Sequence, residues 1–218
     1  MPEADAGGPA SRPRELKIRI ESLSDLVFGL ALSIGSLILI GRAPQSGQDL
    51  WVDVALFAFS FAIVVLAWLG YSRSMAVLPV EVPFALLTNI VLLFLVALEP
   101  YLFYVLQSAK SFDLLDSASV AYALDLGGMF FMQAALAYLV VKEEKTRLHG
   151  QARLHPATLR RFRTTVKLDV VIGLVFFVSA LPVFWVDTPV GFLRFYFWTP
   201  TFFTTVALAS RKWMHKEG

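Results

Sequence analysis

The chain has 218 residues, of which 57% are hydrophobic and only 17% charged, and its mean hydropathy is +0.65. Soluble domains carry about 25% charged residues, so the composition excludes an ordinary water-soluble globule, and the length fits one compact unit. A formal net charge of +2 is too small to mark a nucleic-acid partner, and the absence of cysteine excludes disulfides, thiol catalysis and Cys-ligated zinc.

The N-terminal residues 1–11 are small, polar and Pro/Gly-rich. With the basic stretch that follows, residues 1–18 read as a disordered, basic tail. The first apolar run begins after Arg12, Arg14, Lys17 and Arg19, as a signal peptide would. Asp25 interrupts it and no small-residue cleavage site follows Gly41, so a retained helix is expected.

A helix needs about 20 mostly apolar residues to cross the bilayer core. Six stretches meet that length, at 21–41, 51–70, 82–107, 117–141, 167–186 and 190–210. The fifth and sixth are separated only by Asp187, Thr188 and Pro189, which predicts a tight hairpin. Pro100, Pro182 and Pro200 lie inside or beside spans, where buried membrane helices tolerate them. The expected fold class is an all-α integral membrane protein of six transmembrane helices, with the membrane domain at 19–212 and a short tail at 213–218.

Charge placement sets the orientation. With six spans, Arg12, Arg14, Lys17, Arg19, Arg73, the eight basic residues between Lys142 and Lys167, and Arg211, Lys212 and Lys216 fall on one side. Only Arg42, Lys110 and Arg194 fall on the other, so both termini are expected to be cytoplasmic. Trp51, Tyr101, Tyr104, Trp185, Tyr196, Trp198 and Trp213 lie near the predicted interfaces, as an aromatic belt does.

Ionisable side chains at membrane depth are costly and are site candidates by default. Asp25 lies about 9 Å along the helix from Arg19, and Asn89 about 10 Å into the third span from the same side. Trp68 ends the second span there. Ser24, Asp25, Trp68 and Asn89 are therefore expected at one depth, with Arg19, Tyr71 and Arg73 just below. They form either a structural clamp between helices or a site that handles an ion or proton through Asp25. Glu99 and Asp125 share a depth nearer the outer face. There they either pair with Lys110 or Arg194 or form an outer vestibule that concentrates cations. Asp53 and Asp169 sit at span ends and read as interfacial.

Leu26, Leu30, Ser33 and Leu37 fall on one stripe of the first helix at spacings of 4, 3 and 4, compatible with ordinary helix packing. Gly29, Ala31 and Gly35 are small enough for close helix approach. Enzyme signatures are missing: the sequence has no G-x-S-x-G, H-E-x-x-H or P-loop, and it also lacks the T-V-G-Y-G potassium filter. His149, His155 and His215 fall in predicted cytoplasmic loops, and none has a metal-binding partner at helical spacing. No metal site, cofactor or enzymatic activity is expected.

The segment Arg19-Ile20-Glu21-Ser22-Leu23-Ser24-Asp25 resembles the R-x-x-x-F-S-D motif of the transmembrane protein 175 family, lysosomal and prokaryotic potassium channels built without a P-loop filter. Trp68-Leu69-Gly70-Tyr71-Ser72-Arg73 is similar to the family's W-x-N-H-H-R stretch. Asn89 with Glu99-Pro100 is similar to its N…L-P, and Tyr122-Ala123-Leu124-Asp125 to its Y-A-x-N. The resemblance runs through the first four helices in order. Leu23, the Gly70-Tyr71-Ser72 set and Glu99 depart from the family pattern. The resemblance implies a homotetramer in the cell membrane, a multi-pass protein whose partners are itself, the lipid bilayer and permeant potassium ions. It implies a central pore lined by helix 1, with Leu30 at the constriction, Ser33 one turn beyond, and Leu26 and Leu37 extending the lining. Arg19, Ser24, Asp25, Trp68 and Asn89 would be the clamp that orients helix 1. The function it implies is passive, potassium-preferring cation flux through a hydrophobic neck. The alternatives are a proton-coupled secondary transporter using Glu99 and Asp125 as a relay, and a non-conducting membrane scaffold of the same fold.

Overall fold

The computed structural model describes residues 11–41, 44–79, 83–146, 154–185, 187–188, 191–195, 197–198 and 200. Five long helices occur in chain order: α1 (Ser11–Ile40), α2 (Gly47–Met75), α3 (Pro83–Ser108), α4 (Phe112–Thr146) and α5 (Pro156–Ser179). A 3-10 turn, Pro182–Phe184, and a two-stranded antiparallel ribbon, β1 (Asp187–Thr188) with β2 (Gly191–Phe192), follow them. Four of the helices are long and apolar enough to cross a membrane, over Glu15–Leu39, Gly47–Met75, Phe84–Ser108 and Phe112–Thr146. The described chain is that of a helical, multi-pass membrane protein.

Local chemistry sets the helix starts. Ser46 is extended and its side chain accepts a bond from the Asp49 amide, giving α2 an N-cap. The Ser111 hydroxyl accepts from the Leu114 amide at the start of α4. His155, one of the loop histidines, caps α5 through Nδ1 to the Ala157 amide, with Pro156 in the first turn where its missing N–H costs nothing.

Three boundaries differ from the sequence expectation. α1 begins at Ser11, so most of the predicted tail up to residue 18 is helical. Residues 14–19 carry Arg, Glu, Leu, Lys and Arg, all good helix formers, and charge does not stop a helix that has left the hydrocarbon. α5 begins at Pro156 rather than at 167, and ends at Ser179 rather than running to 186. Arg160, Arg161, Arg163 and Lys167 occupy its first half and Asp169 follows, so only its later turns are apolar, and Pro182 forces Leu181 out of helical conformation. The expected hairpin after it contains the paired residues Asp187 with Phe192 and Thr188 with Gly191. The predicted sixth span, 190–210, is described only to residue 200, where Leu193 to Phe195, Phe197, Trp198 and Pro200 are helical; its remainder and the tail at 213–218 lie outside the described residues.

α4 is the centre of the bundle and packs against α2, α3 and α5, while α1 lies on α2 and α3. α4 is buried on nearly all sides, and Ala118, Ala123, Gly127, Ala134 and Ala137 let its neighbours approach closely. A Cβ built on Gly127 would lie 3.2 Å from the Gly173 carbonyl oxygen, and one on Gly173 would lie 3.1 Å from the Gly127 carbonyl oxygen. The α4–α5 crossing is thus a backbone-to-backbone contact that only glycine permits, the usual device where lipid supplies no hydrophobic drive between helices.

Candidate functional site

α1 has two unlike faces. Ser24, Phe28, Ala31 and Gly35, spaced by 4, 3 and 4, are buried against α2 and α3. The opposite stripe is uncovered: Leu26 is 68% exposed, Leu30 57% and Leu37 61%, and Ser33 is exposed among them. The Ser33 hydroxyl donates to the Gly29 carbonyl at 2.8 Å, the i−4 bond by which a helical serine satisfies itself. Leu23, which stands where the family motif has phenylalanine, is also exposed.

The buried face is held by a polar cluster. The Ser24 hydroxyl donates to the Ile20 carbonyl at 2.8 Å and accepts from the Tyr71 hydroxyl at 2.7 Å and from Asn89 Nδ2 at 3.4 Å. Trp68 Nε1 donates to Asp25 Oδ1 at 2.8 Å. Ser24, Tyr71 and Asn89 are all buried, whereas Asp25 and Trp68 are exposed. The structure therefore brings Ser24, Asp25, Trp68 and Asn89 together across α1, α2 and α3. It adds Tyr71 as a direct partner, through the phenol that donates to Ser24. Arg19 is exposed and joins none of these bonds. Beside the cluster a cleft of about 460 Å³ opens between α1 and α2, lined by Lys17, Glu21, Asp25, Trp68, Tyr71 and Met75 among others.

Gly70 has a packing reason. A Cβ there would fall 2.1 Å from Gln133 Oε1, so the α4 glutamine occupies the space that a side chain at residue 70 would need.

Glu99 and Asp125 are both buried, at 0% and 3% exposure, and neither is joined to Lys110 or Arg194 among the described residues. Glu99 Oε1 accepts from the Ser60 hydroxyl at 2.8 Å and from the Tyr122 hydroxyl at 3.1 Å. Glu99 Oε2 and both Asp125 carboxylate oxygens are buried with no hydrogen-bond partner among the described residues. Ser60 of α2 and Tyr122 of α4 thus meet Glu99 of α3 at one point. Asp53 and Asp169, expected at the interface, are likewise buried within the protein.

Arg194 takes a different partner from those expected. It is wholly buried, and its guanidinium bonds Asp116 Oδ1 at 2.8 Å, the Ser119 hydroxyl, and the Ser179 carbonyl at 2.8 Å. It also reaches the Ala180 and Leu181 carbonyls at 3.4 Å each and lies 5.1 Å from the Trp185 ring centroid. These carbonyls are the orphan acceptors at the end of α5, so Arg194 acts as that helix's C-terminal cap and ties it to the start of α4. Nothing in the local sequence around residue 194 signals this, because its acceptors are 13 to 78 residues away.

No protein-family model and no curated protein matches the sequence. The fold, however, is that of a known class of helical membrane protein. It is similar to the crystal structure of a variant of the potassium channel MtTMEM175 in complex with a nanobody–MBP fusion protein. The TM-score is 0.60 at 18% identity, covering 88% of this chain and 93% of that one. The likeness is one of fold, and it agrees with the transmembrane protein 175-like architecture to which the first-helix motif pointed.

Proposed function

We propose that this chain is a subunit of a cation channel that conducts potassium in preference to sodium, passively and without a cofactor or enzymatic step. The carrying observation is the uncovered leucine stripe of α1, on a helix whose opposite face is fixed by the Ser24–Tyr71–Asn89 and Asp25–Trp68 bonds. The likeness to a potassium channel's fold supports it. In this reading six helices cross the cell membrane with both termini in the cytoplasm, and four subunits place their α1 stripes around one axis. Leu30 forms the neck, Leu26 and Leu37 extend it, and the Ser33 hydroxyls face the ion.

A leucine ring makes a narrow, poorly wetted constriction that water and ions cross only at a cost. Potassium gives up its hydration more readily than sodium, so the neck favours potassium modestly. Asp25 and Ser24 orient α1 rather than filter ions. Glu99 and Asp125, the relay of the transporter alternative, are buried rather than placed on the exposed α1 stripe.

The chain contains no cysteine, so a single introduced thiol is unique. Cysteine at Leu30 or Ser33 should let a charged, water-soluble thiol reagent block potassium flux in reconstituted vesicles, whereas cysteine at the exposed residue Phe94 of α3 should not. Block at Phe94 and none at either α1 position would remove α1 from the pore.

A further inference from the structure

We propose that the outward face of α5 binds an anionic phospholipid, with Arg160, Arg163 and Lys167 taking the phosphate of its headgroup and Val171, Leu174 and Val178 taking an acyl chain. The site rests on the membrane-spanning arrangement proposed above, though not on conduction. Residues 160, 163, 167, 171, 174 and 178 follow one another at spacings of 3, 4, 4, 3 and 4, so they form a single stripe along the helix. All six are exposed, Val171 to 56%, Leu174 to 49% and Val178 to 44%. The rotation of α5 is fixed from the other side. Phe162, Asp169, Ile172, Gly173 and Phe176 are buried there, and Gly173 lies against the Gly127 backbone of α4. The stripe cannot turn inward without breaking that contact.

The stripe changes character once, between Lys167 and Val171. Its basic part covers about 10 Å of helix, with neighbouring side chains rooted about 5–6 Å apart, which is within reach of one phosphate for side chains this long. The charged groups of Arg160, Arg163 and Lys167 join no ion pair or hydrogen bond among the described residues. Over residues 142–167 the described residues hold six Lys and Arg against two acids, Glu143 and Glu144. Glu144 is already engaged with the Leu154 amide at 3.3 Å. Basic side chains flanking a membrane helix attract anionic headgroups, and arginine grips a phosphate through two parallel bonds. A zwitterionic headgroup brings an ammonium of its own, which three uncompensated cations repel.

The apolar part of the stripe decides between a lipid and a soluble anion. Free phosphate or a nucleic acid would satisfy the arginines and leave Val171, Leu174 and Val178 uncovered. A phospholipid covers both parts, because its phosphate sits at the membrane boundary and its chains run inward, as the stripe does from Lys167 to Val178. Val171 to Val178 covers about 10 Å, within the roughly 15 Å depth of one leaflet's hydrocarbon.

The test is thermal unfolding of the delipidated full chain in a nonionic detergent at constant ionic strength. The titrants are long-chain phosphatidylglycerol, long-chain phosphatidylcholine, dihexanoyl phosphatidylglycerol and inorganic phosphate. Long-chain phosphatidylglycerol should raise the midpoint saturably, its short-chain form should need a higher concentration, and the other two should leave the midpoint in place. Arg160→Gln, Arg163→Gln and Lys167→Gln combined should weaken the apparent phosphatidylglycerol affinity at least about tenfold. Arg12→Gln, Arg14→Gln and Arg19→Gln combined remove the same charge from α1 and should leave that affinity unchanged. Should the α5 variant fail to fold, Leu174→Ala keeps every charge and should move the long-chain affinity toward the short-chain value. An equal response to phosphatidylcholine or to inorganic phosphate overturns the site. So does an undiminished response in the α5 variants, or an equal loss in the α1 variant, which would mean attraction to diffuse charge. None of these outcomes bears on conduction, which the thiol-block experiment tests separately.

Discussion

Tyr71 shows most plainly how single residues shape this protein. Its phenol, 1% exposed, donates to Ser24 at the point where α1, α2 and α3 meet, and Ser24 in turn is fully bonded. Tyr71→Phe keeps the ring, including its 5.6 Å contact with Phe28, and removes only the donor. A neutral hydrogen bond of this kind contributes about 0.5–1.5 kcal/mol, so the variant should assemble but unfold at a modestly lower temperature in a calorimetric or fluorescence melt. Much of this cluster was legible in the sequence. Ser24, Asp25, Trp68 and Asn89 align in depth because each helix rises at a fixed rate from a charge-marked end. Arg19 did not join because depth does not fix azimuth: six residues from Asp25, it points to another side of the helix. Ser60 was not legible at all, since a serine in an apolar run signals nothing until its acceptor is known.

At the scale of elements, the α4–α5 crossing brings backbone against backbone at Gly127 and Gly173. A methyl group at residue 173 would meet Phe131 at 2.8 Å and the Gly127 carbonyl at 3.1 Å, and a backbone carbonyl cannot turn aside. Gly173→Ala should therefore cost about 1–3 kcal/mol, the range for overpacking a tight contact. Gly35→Ala meets only Phe57 at 3.7 Å, an ordinary distance, and should leave the melt nearly unchanged. A second prediction concerns the α5 end. Arg194→Lys keeps the charge but cannot span Asp116, Ser119 and the Ser179 carbonyl at once, because lysine lacks the planar fork. It should expose the ribbon after α5 to protease at a concentration that spares the wild type. Hydropathy found the first four helices because their apolar runs exceed the membrane thickness. It misjudged α1 and α5 at their ends because helix propensity continues through charged residues that hydropathy reads as loop, and because Pro182 halts α5 before its apolar run is over.

At the scale of the whole molecule, the uncovered face of α1 and the buried one divide its work. The buried face holds the helix to α2 and α3; the exposed stripe of Leu26, Leu30 and Leu37 has no cover among the described residues. In the tetrameric arrangement proposed here, that stripe from four chains encloses the conducting path. In that proposed arrangement the other exposed apolar residues, such as Trp51, Phe94 and Phe112, lie outside the conducting path. Leu30→Ala should then widen the neck, raising potassium flux and narrowing its advantage over sodium. The most direct measurement is ion efflux from liposomes containing the purified protein, comparing potassium with sodium and adding no coupled substrate or proton gradient. Passive conduction through a leucine neck requires potassium efflux faster than sodium efflux in the wild type and a loss of that preference in Leu30→Ala. No cation flux from a folded, correctly inserted tetramer, or flux that appears only with a coupled gradient, would contradict it.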